Sequence, residues 1–347
     1  MAAEAEGSFT PSCSKKSKTL PKSVSSWTRE TLESLAIFYD DKTTDISFFM
    51  DQLKKLRNIR NAKSSTDFVN YIRGLVKKLL TLSVDMEEEL AFRLDIITGY
   101  RGVLSDIEKF NKTVKEMGKS RRQELQEGTA EVVDNEMVLF EACCFGIRDF
   151  FKFFLRFLDD SILEKKRKCQ FTQLFMKFAR MFLMDPEPGD LSAERKFQVH
   201  DTEVSSVPDV LFFNYGSSIE VVTMVMSSEV KQIGFSLCEE KPFTTSAQDS
   251  KVLGQHGGQL LAEIPNSIFT HQVLGSICLK TKIIFTFLDI KEDHFDRIKT
   301  SKSLEGDRAT IYFSKPYDFL IAEERDEILD IFALLGFVQS DAYKLFK

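Results

Sequence analysis

The chain has 347 residues, of which 43% are apolar, so it is long enough for two domains with sizeable hydrophobic cores. Its net charge of −6 excludes a globally basic, DNA-coating protein but leaves room for a local basic patch. No apolar segment follows the initiator methionine, and charged residues interrupt each apolar stretch before the roughly 20 residues that a membrane span needs. These features predict an intracellular protein, cytoplasmic or nuclear, without a membrane partner.

Several common functional motifs are absent. The sequence has no G-x-x-x-x-G-K-[ST], no G-x-G-x-x-G after a strand and no G-x-S-x-G elbow. Its four histidines are scattered, and its six cysteines form no C-x-x-C pair, which favours reduced thiols. The basic run "EKKRK", Glu164 to Lys168, is open to three interpretations: a nuclear-import signal, a basic rim that contacts phosphates, or a solvated helix face.

The first half of the chain has helical periodicity. Residues 1 to 26 have no periodic pattern and are predicted to form a disordered tail. Residues 27 to 160 are predicted to form a helical bundle, which is typical of a module that binds a protein partner. Its apolar residues recur at helical spacing in five segments, at 27–41, 45–62, 65–83, 86–117 and 136–160. A further helix at 162–184 fits either half of the chain.

The pattern changes at "DPEPGD", Asp185 to Asp190, where short apolar runs replace the helical spacing. Six strands are predicted, at 196–203, 209–215, 219–230, 271–280, 282–290 and 309–314. One helix lies between the third and fourth strands, at 246–264, and another closes the chain at 322–337. The prediction is therefore an α+β protein, with an N-terminal all-α bundle and a C-terminal mixed-sheet domain over 161–347.

Two of these strands carry polar residues that suit metal-dependent chemistry. Pro208-Asp209 opens one strand, and Glu229-Val230-Lys231 ends the next. Alternate residues of a strand share a face, so Glu229 and Lys231 lie on one side of it. Two or three carboxylate oxygens that converge can hold a divalent cation, which activates water against a phosphodiester. A neighbouring lysine can orient that water.

The order of these elements resembles the PD-(D/E)XK nuclease superfamily, which has the restriction-endonuclease-like fold. The segment from Gly258 to Ile290 is similar to nuclease-like domains of type I restriction subunits and of Crinkler-type proteins. The resemblance implies that Asp209 and Glu229 bind Mg²⁺ or Mn²⁺, that Lys231 assists the water, and that the substrate is DNA or RNA. It implies further roles for Glu164 as an additional metal ligand and for Gln255 and Gln259 beside the lysine.

Alternatives remain open at this point. Glu239-Glu240-Lys241 is a rival for the Glu-x-Lys motif. A tight turn at Gly216 would put Asp209 opposite Thr223, far from Glu229, so convergence requires a wide loop or a bulge. The competing interpretation is a non-catalytic interaction protein, with an inactive nuclease-like domain and a helical half that binds a partner.

Overall fold

The computed structural model describes residues 20–56, 63–86, 96–127, 130–159, 168–189, 194–215, 222–231, 250–300 and 302–339. The helices are α1 (Arg29–Ser34), α2 (Ile46–Lys54), α3 (Lys63–Leu79), α4 (Ile96–Glu127), α5 (Ala130–Asp159), α6 (Lys168–Arg180), α7 (Ser250–Glu263), α8 (Glu292–Lys299) and α9 (Ala322–Gln339). No helix in these ranges is long and apolar enough to cross a membrane.

The strands form one mixed sheet and a separate hairpin. They are β1 (Ile37–Tyr39), β2 (Pro186–Pro188), β3 (Arg195–Val199), β4 (Thr202–Ser206), β5 (Val210–Tyr215), β6 (Val222–Lys231), β7 (Gln272–Leu279), β8 (Lys282–Asp289), β9 (Ala309–Phe313) and β10 (Tyr317–Asp318). The sheet order is β1-β9-β8-β7-β6-β5-β2, with β10 also paired to β8, while β3 and β4 form the hairpin. The fold is therefore α+β with a mixed sheet, as predicted.

The central connection of the sheet is a crossover. Strands β5 and β6 are antiparallel, and β6 then runs parallel to β7. Parallel neighbours need a crossover connection, and α7 lies between them in the chain. Strand β8 returns antiparallel to β7. The Pro-Asp strand, the Glu-x-Lys strand, a helix and two strands thus follow one another in the predicted order. The single strand predicted at 196–203 before them is wrong, because the chain turns back at His200 and Asp201 and forms the separate β3–β4 hairpin, with β2 preceding it.

The N-terminal segment differs from its prediction. Residues 20–26 were predicted to belong to a mobile tail, yet Val24 is buried and the Trp27 indole Nε1 donates to the Pro21 carbonyl at 3.0 Å. The tail prediction therefore concerns only residues 1–19, which lie outside the described residues. The helix predicted at 27–41 ends at Ser34, and its last apolar residues form β1, which pairs in parallel with β9.

Helix α7 is buried along nearly its whole length, and its glycines explain how. Glycine costs a helix interior roughly 1 kcal/mol relative to alanine, so its repeated use here needs a compensating contact. A Cβ at Gly254 would lie 2.3 Å from the Thr28 backbone, and one at Gly258 would lie 2.8 Å from the Trp27 ring. The glycine-rich "GQHGGQ" sequence therefore lets the N-terminal segment approach the helix closely, and it is not a phosphate-binding loop.

Two hydrophobic clusters cover the two faces of the sheet. On one face, α7, the N-terminal segment and the β3–β4 hairpin pack on residues such as Leu211 and Ile277. On the other face, α2 to α6 and α9 pack on residues such as Phe212 and Phe285. The division predicted at residue 160 stays a prediction. Side chains from both sides of that position share the second cluster.

The buried guanidinium of Arg325 links separate segments of the helical layer through hydrogen bonds. Its side chain is 2% exposed, and its guanidinium donates to four backbone carbonyls. The four acceptors are Leu80 at 3.0 Å, Leu82 at 2.7 Å, Phe319 at 3.1 Å and Leu320 at 3.4 Å. Burial lowers the pKa of Arg325 to about 10, so the group stays charged at neutral pH. One cation thus joins α9 to the segment that follows α3.

Buried Asp318 gives the fold a pH dependence that can be tested. Burial raises the pKa of this carboxyl to about 6, and nearby Glu324 adds to the increase. The carboxylate accepts hydrogen bonds from the Thr281 hydroxyl at 2.9 Å and from the Leu320 amide at 3.0 Å. These two bonds partly offset the increase in its pKa. Because the folded state binds this proton more tightly than the unfolded state, the free energy of unfolding decreases as pH rises from about 4 to about 6.

Asp318→Asn is therefore expected to remove this component of the pH dependence. An asparagine keeps the acceptor for the Leu320 amide and loses the charge. Between pH 4 and pH 7, the free energy of unfolding of the variant is therefore expected to rise by up to about 3 kcal/mol relative to that of the wild type. Urea unfolding of both proteins across that range measures the difference. A difference that stays constant with pH would show that Asp318 is not the group responsible.

Candidate functional site

The register of β5 against β6 decides where Asp209 lies. Val210 pairs with Ser228, so one further step along the two strands places Asp209 beside Glu229. The register shifts between Phe212 and Phe213, and the last pair before the connection is Tyr215 with Val222. Convergence required either a wide connection or a bulge, and the register has both: six residues, 216–221, separate the last pair, and the ladder shifts by one residue. The tight-turn alternative, with Asp209 opposite Thr223, is wrong.

The three motif residues lie on the same face of the sheet. Glu229 and Lys231 pair with Ile277 and Leu279 of β7, and paired residues of neighbouring strands share a face. Ile277 and Leu279 belong to the cluster beneath α7. Leu211 belongs to it as well, and alternation places Asp209 on that same side. The backbone thus brings all three positions to one end of the sheet, on the α7 face.

The Pro-Asp backbone is held by the edge strand β2. The Gly189 amide donates to the Asp209 carbonyl at 2.9 Å, and Pro188 pairs with Val210. A Cβ at Gly189 would lie only 1.5 Å from the Pro208 carbonyl oxygen, so no larger residue fits there without movement. The glycine of "DPEPGD" therefore fixes the position of Pro208 and Asp209, a role that the sequence pattern did not suggest.

The glutamines of α7 approach the site from the helix side. Gln259 is 1% exposed, and its side-chain amide donates to the Val207 carbonyl at 3.3 Å, two residues before Asp209. Gln255, one turn earlier in the helix, is also buried. The structure therefore places Gln259 against the chain that leads into the Pro-Asp motif, where it restrains the backbone.

An ion pair that sequence reasoning missed lies one turn further along α7. Glu263 is fully buried, and its Oε1 is 3.4 Å from Arg195 Nε of β3. Burial raises the pKa of Glu263, and the charge of Arg195 partly offsets that increase. Arg195 pairs with Ser206, three residues before Asp209. The pair therefore fastens the β3–β4 hairpin to α7. A carboxylate at four-residue spacing from Gln259 was the signal available in the sequence.

Two sets of predicted positions lie outside the described residues. Glu164, the additional metal ligand implied by the resemblance, lies outside the described residues, as does the basic run that contains it. The rival motif Glu239-Glu240-Lys241 lies outside them too. Among the described side chains, no group of three His, Cys, Asp or Glu has a metal-binding arrangement.

The donor set at the end of β5 and β6 nevertheless fits a small oxygen-preferring cation. Mg²⁺ is usually held by one or two carboxylates, and water completes its octahedron. Asp209 and Glu229 are two carboxylate residues at adjacent register positions, and Asp209 is partly exposed. Softer metals prefer thiolate or imidazole. The residue types here therefore match Mg²⁺ or Mn²⁺.

The buried thiols and imidazoles have structural roles. Cys143 and Cys144 lie in the core, and burial raises the pKa of both thiols, that of Cys144 to about 11. His256 Nε2 is 2.7 Å from the Thr286 hydroxyl, and His294 Nε2 is 2.9 Å from the Leu35 carbonyl. Since a thiolate is the reactive form of cysteine, neither thiol suits nucleophilic chemistry at neutral pH.

Comparison of the chain with protein-family models, with curated proteins and with solved structures found no match.

Proposed function

We propose that this protein is a Mg²⁺- or Mn²⁺-dependent nuclease that hydrolyses nucleic-acid phosphodiester bonds. The observation that carries the proposal is the register of β5 and β6, which sets Asp209 beside Glu229, with Lys231 two residues further on the same face. Isolated Pro-Asp and Glu-x-Lys motifs are common in charged sequences. Their placement at adjacent register positions at one end of a mixed sheet is a more demanding condition, and it supports the proposal.

Each residue of the candidate site has a separate role in the proposed reaction. Asp209 and Glu229 would hold the divalent cation, which supplies a more acidic bound water and stabilises negative charge on the phosphate. Lys231 would orient the attacking water and stabilise charge that develops in the transition state. Gln259 and Gly189 bond the backbone on either side of Pro208 and so keep Asp209 in place.

The proposal is tested by incubating the purified protein with single- and double-stranded DNA and RNA, with Mg²⁺, Mn²⁺ or EDTA. Asp209→Asn is the test variant. Asp201→Asn is its matched control, because Asp201 is an exposed aspartate at the turn between β3 and β4. Metal-dependent cleavage that Asp209→Asn abolishes and Asp201→Asn retains is the expected result. A wild-type protein that is inert on all four substrates with both metals would contradict the proposal and favour the non-catalytic interaction protein.

Gly189→Ala is expected to displace the Pro-Asp motif. Its methyl group would overlap the Pro208 carbonyl oxygen, so the two strands must separate and the bond from the Gly189 amide is lost. A displacement of about 1 Å at a catalytic group can cost about 10²-fold in rate. The cleavage rate measures the effect, with Gly102→Ala as control, because a Cβ at Gly102 has nothing within 4 Å. Equal rates in both variants would show that this contact does not position Asp209.

A further inference from the structure

The turn between β7 and β8 has a backbone conformation that its sequence does not favour. Two residues, Lys280 and Thr281, join Leu279 to its paired residue Lys282. The favoured two-residue hairpin turns have a positive φ at their first residue, where glycine or asparagine is preferred. Lys280 occupies this position with a φ of 57°. A lysine at positive φ raises the energy of the folded chain, so turn stability does not explain this residue.

Strand β10 fixes this turn from one side. The Thr281 hydroxyl donates to the Asp318 carboxylate at 2.9 Å, and the Thr281 carbonyl accepts from the Phe319 amide at 3.1 Å. Thr281 is buried, and Lys282 pairs with Asp318. A strained backbone persists only where the surrounding contacts determine it. These bonds therefore keep the backbone of Lys280, which is partly exposed, in place.

A positive φ alone does not mark a functional site, because the β3–β4 turn has the same feature. His200 is the first of two residues between the paired Val199 and Thr202, and its φ is 50°. Its amide donates to the Ile298 carbonyl of α8 at 2.8 Å. This turn is at the end of the hairpin that is remote from the Pro-Asp motif. What distinguishes Lys280 is the position of its turn in the sheet.

Lys280 lies at the same end of the sheet as the candidate site. Lys231 of β6 pairs with Leu279, the residue that precedes Lys280. Neighbouring strands are ~4.8 Å apart and one residue advances ~3.3 Å, so the Lys231 and Lys280 backbones are about 6 Å apart. Glu229 pairs with Ile277, which puts its backbone about 11 Å from that of Lys280 by the same geometry. Two lysines thus occupy neighbouring backbone positions, next to the proposed metal ligands.

The carboxylates on the β10 side of the turn are bound by the protein. Asp318 is 1% exposed, and besides the Thr281 hydroxyl it binds the Leu320 amide at 3.0 Å. Glu324 accepts from the Asp318 amide at 2.6 Å. Both carboxylates have protein donors, so their charge is held on the β10 side of the turn.

We propose that Lys280 contacts a backbone phosphate of the nucleic acid on which the candidate site acts. The proposal rests on the proposed nuclease function, which supplies the polyanion. One strand of a duplex carries a phosphate every ~3.4 Å of helix axis, so a separation of about 11 Å corresponds to about three phosphates. Lys280 is thus a substrate-binding residue that lies outside the reacting atoms. A lysine acts as a point charge without base-specific geometry, so this contact is independent of sequence and sensitive to salt.

The test compares four full-length proteins: the wild type, Lys280→Asn, Lys280→Arg and His200→Asn. Asparagine tolerates a positive φ, so Lys280→Asn removes the charge and keeps the turn, whereas Lys280→Arg keeps the charge. His200→Asn is the matched control, because it places asparagine at the same position of the other strained turn. Fluorescence anisotropy of labelled 20-nucleotide single strands and 20-base-pair duplexes, in EDTA so that no cleavage occurs, gives Kd as a function of salt.

Loss of one phosphate contact is expected to raise the Kd of Lys280→Asn about 5-fold near 0.1 M salt and to reduce the slope of log K against log salt by about 0.7 to 0.9. The KM for cleavage with Mn²⁺ is expected to rise to a similar extent, with kcat within about 2-fold of the wild type. Lys280→Arg and His200→Asn are expected to keep Kd within about 2-fold of the wild type. Asparagine in either turn is expected not to lower the unfolding temperature, since it suits the positive φ better.

The outcomes separate failure of this contact from failure of the nuclease function. A Lys280→Asn protein with the Kd and salt slope of His200→Asn would overturn the contact, and so would equal losses of affinity in Lys280→Asn and Lys280→Arg. If Lys280→Asn weakens binding while the wild type cleaves nothing, the contact stands and the nuclease function fails. If the wild type cleaves with metal and Lys280→Asn keeps the wild-type KM and salt slope, the contact fails and the nuclease function stands.

Discussion

Lys231→Ala and Glu229→Gln are each expected to reduce metal-dependent cleavage by about 10³-fold or more, because each removes a group that acts on the developing charge in the transition state. Both positions lie on the end of β6, paired with β7 on the α7 face. In the proposed mechanism, Glu229→Gln removes a metal ligand, whereas Lys231→Ala leaves the metal in place and removes its neighbouring cation. Single-turnover cleavage rates with saturating Mn²⁺ measure both effects.

The matched control for Lys231 is Lys196→Ala. Lys196 is an exposed strand lysine in the β3–β4 hairpin, with an exposed partner, Glu203, at 3.5 Å. Exposed pairs of this kind contribute about 0–1 kcal/mol, so the control is expected to cleave at the wild-type rate and to unfold at nearly the wild-type temperature. A Lys231→Ala protein that cleaves as fast as Lys196→Ala would remove the lysine from the proposed mechanism.

Arg325→Met is expected to cause the largest loss of stability, about 3–5 kcal/mol, because it removes a buried cation and leaves its acceptors unsatisfied. The four carbonyls that Arg325 binds lie on both sides of the predicted boundary at residue 160, at Leu80 and Leu82 and at Phe319 and Leu320. The methionine fills much of the volume but donates no hydrogen bond. Urea unfolding followed by circular dichroism measures the change.

The same experiment tests how the two predicted domains unfold. Because Arg325 and the shared hydrophobic cluster join them, we expect Arg325→Met to lower the midpoint of one common transition. The exposed ion pair between Arg73 and Asp330 spans the same two halves at 3.3 Å, and Arg73→Met serves as control with a loss below about 1 kcal/mol. Two separate transitions, with only the second shifted, would contradict the common unfolding.

Sequence reasoning located the long elements well because their patterns are local. The strands β5 to β8 and helix α7 all lie within their predicted ranges, give or take one to four residues at an end. Strand β2 was missed because two of the three residues of "PEP" are prolines. Proline has no backbone N–H to donate to a neighbouring strand, so the pattern predicts a loop. Strand β2 is tolerated because it forms the edge of the sheet.

The short strand β1 was missed for a different reason. Its apolar residues continue the helical spacing of α1, so the pattern alone predicts a longer helix. The break comes at Ala36, which has a left-handed backbone with φ of 56°. A non-glycine residue in this region is uncommon and is not signalled by its neighbours. Pairing with β9, more than 260 residues away in sequence, supplies the stabilisation that local propensity does not.

The candidate site was only partly predictable. The sequence identified Asp209, Glu229 and Lys231 by residue type and strand alternation. Their register depends on the bulge between Phe212 and Phe213, which the residue types in the two strands do not specify. The supporting contacts are long-range in sequence. Arg195 with Glu263 and Gly189 with Asp209 join elements through tertiary packing, and single-sequence patterns do not encode such pairs.

If Asp209 and Glu229 hold one metal ion as proposed, Mn²⁺ binding to the nucleic-acid-free protein depends on both carboxylates. Electron paramagnetic resonance of free Mn²⁺ gives the dissociation constant for the wild type, Asp209→Asn, Glu229→Gln, the double variant and the Asp201→Asn control. We expect each single variant to weaken one site by about 10-fold or more, and the double variant to lose little beyond the singles, because the two carboxylates share that ion. Wild-type Mn²⁺ affinity in both single variants would show that these two carboxylates do not hold the ion.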